Sequence, residues 1–186
     1  MIFSLGLRPF ILSASRLPNA SPSSSGGRRM GSLLTLGASI GAPLALGQVM
    51  GVLSAPDVAT WYPKLEKPSW TPPVVLFPII WSTLYFLMGA ASHRAWLSGA
   101  GYGTLGLYAL QLGLNLAWQP LFFKSHNLKA ASYDITALLG VLGLTTWRFF
   151  QIDPVAGVAM LPYCAFCTFA AALTYSIRAK NGDKVE

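Results

Sequence analysis

The sequence predicts an all-α membrane protein, a bundle of five transmembrane helices, and three observations carry that prediction. Hydrophobic residues make up 53% of the 186 and charged residues only 10%, with a mean hydropathy of +0.51. A soluble domain carries about 25% charge, so this chain cannot cover a globule of its size with solvated side chains. The same apolar content excludes a disordered chain. Second, five long apolar segments follow one another, each near the ~20 residues a helix needs to cross ~30 Å of hydrocarbon. Third, the basic residues behind the net charge of +7 lie in the N-terminal tail, between apolar runs and at the C-terminus. That is the pattern of loops flanking membrane spans, not of a nucleic-acid-binding face.

Taken in order, residues 1–31 form a tail with Arg8, Arg16, Arg28, Arg29, seven serines and no acidic residue. Arginine- and serine-rich, acid-free composition is that of an organellar transit segment. Met30–Thr35 also matches an N-myristoylation pattern, but the match runs directly into an apolar span. The membrane domain covers 32–178, with spans at Leu33–Leu53, Val74–Ser92, Tyr102–Phe123, Ala130–Trp147 and Pro154–Ile177. Only the fourth contains a charged residue, Asp134. Barrel strands are excluded, because they run about 10 residues with alternating polarity. Residues 54–73 form a long loop rich in Pro and Trp, and 179–186 a polar C-terminal tail. Without Arg8 and Arg16, four basic residues on the N-terminal face stand against seven on the other. The positive-inside rule then places the long loop and the C-terminus in the cytosol.

No constellation for soluble catalysis is present. There are two histidines, His93 and His126, both at span ends, so no metal site is expected. Cys164 and Cys167 form a C-x-x-C inside an apolar helix, without the βαβ context of a redox motif. What stands out is polar and aromatic residues at helical spacing within spans. Gln111, Asn115 and Trp118 share one face of the third span; Trp81, Tyr85, Met88 and Ser92 one face of the second; Tyr163, Phe166, Ala170 and Thr174 one face of the fifth. Polar residues in a membrane helix avoid lipid and pair or line cavities. Three aromatic-polar faces together point to a pocket for a flat, mostly apolar ligand. Pro43, Pro78, Pro120 and Pro162 each remove a backbone donor where a bend opens space between helices. In the long loop Trp61, Tyr62 and Trp70 stand beside Pro68, Pro72 and Pro73, a stiff segment suited to an interfacial belt or a lid.

The segments WYPKLEKPSWTPP, FPIIWSTLYFLMG, LQLGLNLAWQPLFF and the LPY of the fifth span, in this order, resemble the translocator protein family. Its members are also called tryptophan-rich sensory proteins, TspO/MBR, or peripheral-type benzodiazepine receptors. The likeness runs from about Leu33 to Ile177. It implies a dimeric five-helix bundle that binds porphyrins (protoporphyrin or haem) or sterols, needs no cofactor, and acts in sensing, sequestration or transport. It also implies an organellar membrane, the mitochondrial outer membrane first, a plastid or the endoplasmic reticulum otherwise. By the same resemblance Trp81, Tyr85, Gln111, Asn115, Trp118, Asp134, Phe166 and Ala170 are ligand-binding, and Trp61, Tyr62, Trp70 and Pro73 form the lid. Leu173, Tyr175 and Arg178 satisfy a loose sterol consensus. Phe166 stands where the family often has a second pocket tryptophan. Because light-driven porphyrin degradation is linked to the paired indoles, the resemblance leans toward binding, with two alternatives: a light-dependent porphyrin-degrading enzyme, or a lipid- or cholesterol-transfer and scaffold protein without tight tetrapyrrole binding.

Overall fold

The computed structural model describes residues 24–183, with side chains from Gly31 onward. The transit-like reading concerns residues 1–31, of which 1–23 lie outside that range. Five helices account for most of the described chain: α1 Ser24–Thr60, α2 Leu76–Leu97, α3 Tyr102–Gln119, α4 Leu128–Ile152 and α5 Pro154–Asn181. There is no strand among the described residues. Four helices are long and apolar enough to cross a membrane. The exception is α3, whose 18 residues include Gln111, Asn115 and Gln119; at 1.5 Å per residue it is still ~27 Å long.

Each helix differs from its predicted span at the ends. α1 begins inside the predicted tail and continues past Leu53 to Thr60, shortening the long loop. Pro56 sits inside this extension, and Thr60 Oγ1 and Trp61 N donate to Pro56 O (2.8 Å) and Asp57 O (2.9 Å), closing the last turn. α2, α4 and α5 also run past their apolar stretches, by a turn or more, because polar residues at a span end favour solvation without breaking the helix.

Pro120 converts the end of the third span into a π-helical turn, Pro120–Lys124. Its ring has no N–H for the α-helical ladder, and Ser125 N bonds Pro120 O at 2.9 Å, five residues back. Pro43 and Pro162 lie inside continuous helices, whereas Pro78 occupies the first turn of α2, where its missing donor costs nothing.

The helices pack as a ring in the order α1, α2, α5, α4, α3, closed by a thinner α1–α3 contact. Glycines set the closest approach of α1 to α2. A Cβ at Gly89 would lie 2.5 Å from Ser39 O and 2.7 Å from Ile40 Cα, and one at Gly47 would enter the Tyr85 ring. Small residues let membrane helices gain van der Waals contact that lipid cannot replace.

At the end of the bundle away from the long loop, Asp153 caps α5 through Val155 N (2.8 Å) and Ala156 N (3.2 Å), with Pro154 at the first helical position. Arg94 of α2 pairs with the same carboxylate at 2.9 Å. Burial alone would raise this carboxyl; Ala156 N–H, Arg94, Val155 N–H and the Ser98 hydroxyl outweigh it and hold it below its ordinary range.

Candidate functional site

The loop-side half of the ring encloses a cavity of about 650 Å³. Each wall comes from the half of a helix nearest the loop: Gly47–Ala59 of α1, Val74–Tyr85 of the α2 entry, Asn115–Phe123 of α3 and its π turn, Ile135 and Leu138 of α4, and Phe166–Ile177 of α5. Trp81 is on its wall. Its ring meets Phe166 edge-on at 5.3 Å and lies against Tyr85 at 5.6 Å. Trp118, also on the wall, stacks on Phe122 at 4.8 Å, and Phe123 meets it edge-on at 6.0 Å. The wide π turn is what lets Trp118, Phe122 and Phe123 reach one space.

Polar groups on or beside the wall pair with one another. Tyr85 Oη donates to Asn115 Oδ1 at 2.8 Å, Gln48 Nε2 to Ser82 Oγ at 2.9 Å, and Ser54 Oγ to Gln119 Oε1 at 3.4 Å. These bonds tie α1, α2 and α3 together around the cavity. The Trp118 indole N–H is buried without a protein partner, the one polar group on this wall in that position among the described residues.

The floor lies where Gly47, Tyr85 and Asn115 meet, and that level decides which predicted residues line the cavity. Trp81, Tyr85, Asn115, Trp118, Phe166 and Ala170 all do. Gln111 does not. It is one turn, ~6 Å, beyond Asn115 and fully buried, with both amide atoms unpaired in the protein. Met88, Ser92 and Tyr163 are likewise buried below the floor. The three stripes are real faces, but only their loop-side halves reach the cavity. Asp134 is absent from the lining as well; the structure leaves it half-buried, one residue before Ile135, which does line it.

Of the lid residues only Tyr62 touches the cavity. Burial pushes its phenol above the ordinary tyrosine range, so it stays neutral. Trp61 is buried behind it, stacked on His126 with ring centroids 4.1 Å apart and planes 5° from parallel. Asp57 of α1 supports that contact through Lys124 (2.7 Å) and His126 (3.6 Å).

Trp70 is half-exposed and packs edge-on against Phe169 at 5.5 Å, and Pro73 is exposed at the loop end. The far side of the loop is clamped by one side chain. Asn181 accepts from Glu66 N at 2.9 Å and donates to Glu66 O at 2.8 Å.

The sterol-consensus trio is divided. Leu173 lines the cavity, whereas the Tyr175 hydroxyl lies 2.8 Å from Thr136 Oγ1 and Arg178 pairs with Asp183 at 2.7 Å. Sequence reasoning missed the α1 wall. Gln48, Gly51, Ala55 and Val58 follow helical spacing, so the rule that found the other stripes would have found this one. Several of these residues are exposed to the surroundings of the bundle, as are Val52, Ala59, Val74 and Pro78. The cavity therefore opens sideways between the C-terminal half of α1 and the start of α2, toward where the bilayer lies.

The fold is that of a helical membrane protein, a five-helix bundle with an aromatic-walled cavity beneath a packed loop. Residues 39–179 match the TspO/MBR family, and the chain belongs to it. It is 38% identical over 154 residues to a tryptophan-rich sensory protein of Cereibacter sphaeroides, covering 82% of this chain and 93% of that protein. It is 40% identical over 126 residues to the translocator protein of Sus scrofa, with 65% and 75% covered. A tryptophan-rich protein TspO of Archaeoglobus fulgidus is 38% identical over 151 residues, with 80% and 98% covered.

Proposed function

We propose that the chain binds porphyrins or sterol-like molecules in the loop-side cavity and senses, sequesters or passes them on in an organellar membrane, as a homodimer. The observation that carries this reading is the cavity itself. Its ~650 Å³ falls within the 300–1,000 Å³ of small-molecule sites, and aromatic walls with few polar groups suit a flat apolar ligand. Trp81 and Trp118, both on the cavity wall, would stack on the ligand. The opening between α1 and α2 suits a ligand that arrives dissolved in lipid.

The test is titration of the purified full chain with protoporphyrin in the dark, followed by tryptophan fluorescence, with Trp81→Phe and Trp118→Phe alongside. Saturable quenching weakened about tenfold in both variants, ~1.4 kcal/mol, supports the reading; absence of saturable quenching sinks it for porphyrin and moves the test to sterol crosslinking. Illumination of the complex then reads out degradation directly. With Phe166 beside Trp81 in place of a second indole, the porphyrin absorbance is expected to persist.

A further inference from the structure

Among the described residues His126 is the one non-glycine with a left-handed backbone, at φ 49°. Glycine and asparagine are the usual occupants of that region, so the turn into α4 does not itself require an imidazole. What the imidazole touches is the end of α1. Its ring lies on the Trp61 indole, with centroids 4.1 Å apart and planes 5° from parallel, and its Nε2 is 3.6 Å from Asp57 Oδ1. At that distance a neutral imidazole makes no hydrogen bond to the carboxylate. A charged one is within ion-pair range, and it also becomes a cation on an indole face.

The cluster joins two walls of the cavity at their loop end. Trp61 N donates to Asp57 O at 2.9 Å, which closes the last turn of α1. Ala55, Val58 and Ala59 of α1 and Tyr62 beyond it line the cavity. On the other side, Lys124 and His126 follow Phe122 and Phe123 of the π turn, which line it too. The neighbouring Ser54–Gln119 bond between these walls is long, at 3.4 Å.

The charged and titratable groups packed here set the sign of any pH response. Asp57 of α1 attracts an imidazolium. Lys124 of the π turn, 2.7 Å from the other oxygen of Asp57, opposes it. In the loop the Tyr62 phenol stays neutral, Lys67 Nζ is held by Tyr62 O and Leu65 O, both at 2.8 Å, and Lys64 is exposed. On α4, Lys129 is turned to Asp183 at 3.6 Å. With Asp57 and Lys124 compensating one another, the indole face decides in favour of the charged form.

We propose that His126 is a positioning residue for the cavity and acts through its charge. Protonated, it grips Trp61 and Asp57 and holds the end of α1, with Tyr62, against the π turn; neutral, it lets that corner loosen. The cavity therefore closes more firmly as pH falls through the range in which imidazoles change charge. The consequence for a bound molecule rests on the binding reading above, whereas the motion of the corner does not.

The experiment starts without ligand. Hydrogen exchange of the 57–65 amides is measured on the full chain in phosphatidylcholine nanodiscs at about pH 5.5 and about pH 8, either side of the imidazole range. Rates are expressed as protection relative to an unfolded peptide at the same pH. Wild type is expected to be about threefold more protected at the lower pH, the scale of one partly exposed cation–indole contact. His126→Asn, which suits the left-handed backbone but carries no charge, should show equal protection at both. Trp61→Phe, with a weaker aromatic face, should keep the direction at smaller amplitude. Dissociation of a porphyrin ester, which has no carboxylate to titrate, should slow in parallel in wild type and lose its pH dependence in His126→Asn. Equal protection at the two pH values in wild type, loss of protection at the lower one, or an unchanged response in His126→Asn overturns the proposal. If protection responds as expected while no porphyrin ester binds saturably, the role of His126 stands and the porphyrin reading falls.

Discussion

α1 and α5 both wall the cavity, yet they are built in opposite ways. A third of the most apolar stretch of α5 is buried inside the protein, against 6% of that of α1. α5 packs between α2 and α4 and carries Met160, Tyr163 and Cys167 at zero exposure. α1 turns Val49, Val52 and Leu53 outward, each more than half exposed, and holds to α2 through Gly47, Gly89 and one Gln48–Ser82 hydrogen bond. In a bilayer the hydrophobic effect does not drive helices together, because lipid is as apolar as leucine. A helix then stays in place by close packing and polar bonds. The contrast therefore teaches that α5 is the fixed, interior wall, and α1 the peripheral one, turned toward the surroundings of the bundle.

Substitutions can break or sharpen that contrast. The largest effect is expected from Met160→Ala, which empties the fully buried centre of α5. A cost of about 2–5 kcal/mol should appear as a clear fall in detergent melting temperature; an unchanged value would show that α5 is not the fixed wall. Gly89→Val forces α1 off α2, at about 1–3 kcal/mol or more. It should raise the exchange rate of α1 amides in the Gly47–Ala59 stretch while leaving those of α5 protected.

Tyr85→Phe removes the 2.8 Å bond to Asn115 and leaves a buried amide oxygen unpaired, costing about 1–3 kcal/mol. It is expected to weaken ligand binding together with stability. Asn181→Ala frees Glu66 from its two-point clamp at an exposed position, worth about 1 kcal/mol or less. Its signature is faster ligand dissociation and faster proteolysis near Glu66, with an almost unchanged melting temperature. Val52→Ala on the lipid side of α1 should stay within about 0.5 kcal/mol. A larger loss there would mean that α1 is held as firmly as α5.

Much of the site was legible in the sequence because helical periodicity is local. Residues three and four apart share a face whatever surrounds them, so the Trp81–Tyr85, Asn115–Trp118 and Phe166–Ala170 pairs could be placed on faces before any packing was known. Periodicity says nothing of depth. Gln111 obeys the same spacing as Asn115 and ends up below the floor, because the Tyr85–Asn115 bond closes the cavity one turn above it. The loop residues show the same limit from the other side. Trp61 and Tyr62 are neighbours in a rigid aromatic segment, but only Tyr62 reaches the cavity, since His126 takes the face of Trp61.

By itself the sequence determined the membrane class, the five helices and the aromatic faces, since composition and spacing are properties of a segment and its solvent. The tertiary structure alone decided the ring order, the π turn that gathers Trp118, Phe122 and Phe123, the sideways opening at α1, and the absence of charge on the described wall. Each of these depends on where one helix lies against another, and in lipid that is settled by interhelical packing and hydrogen bonds, which no single segment encodes.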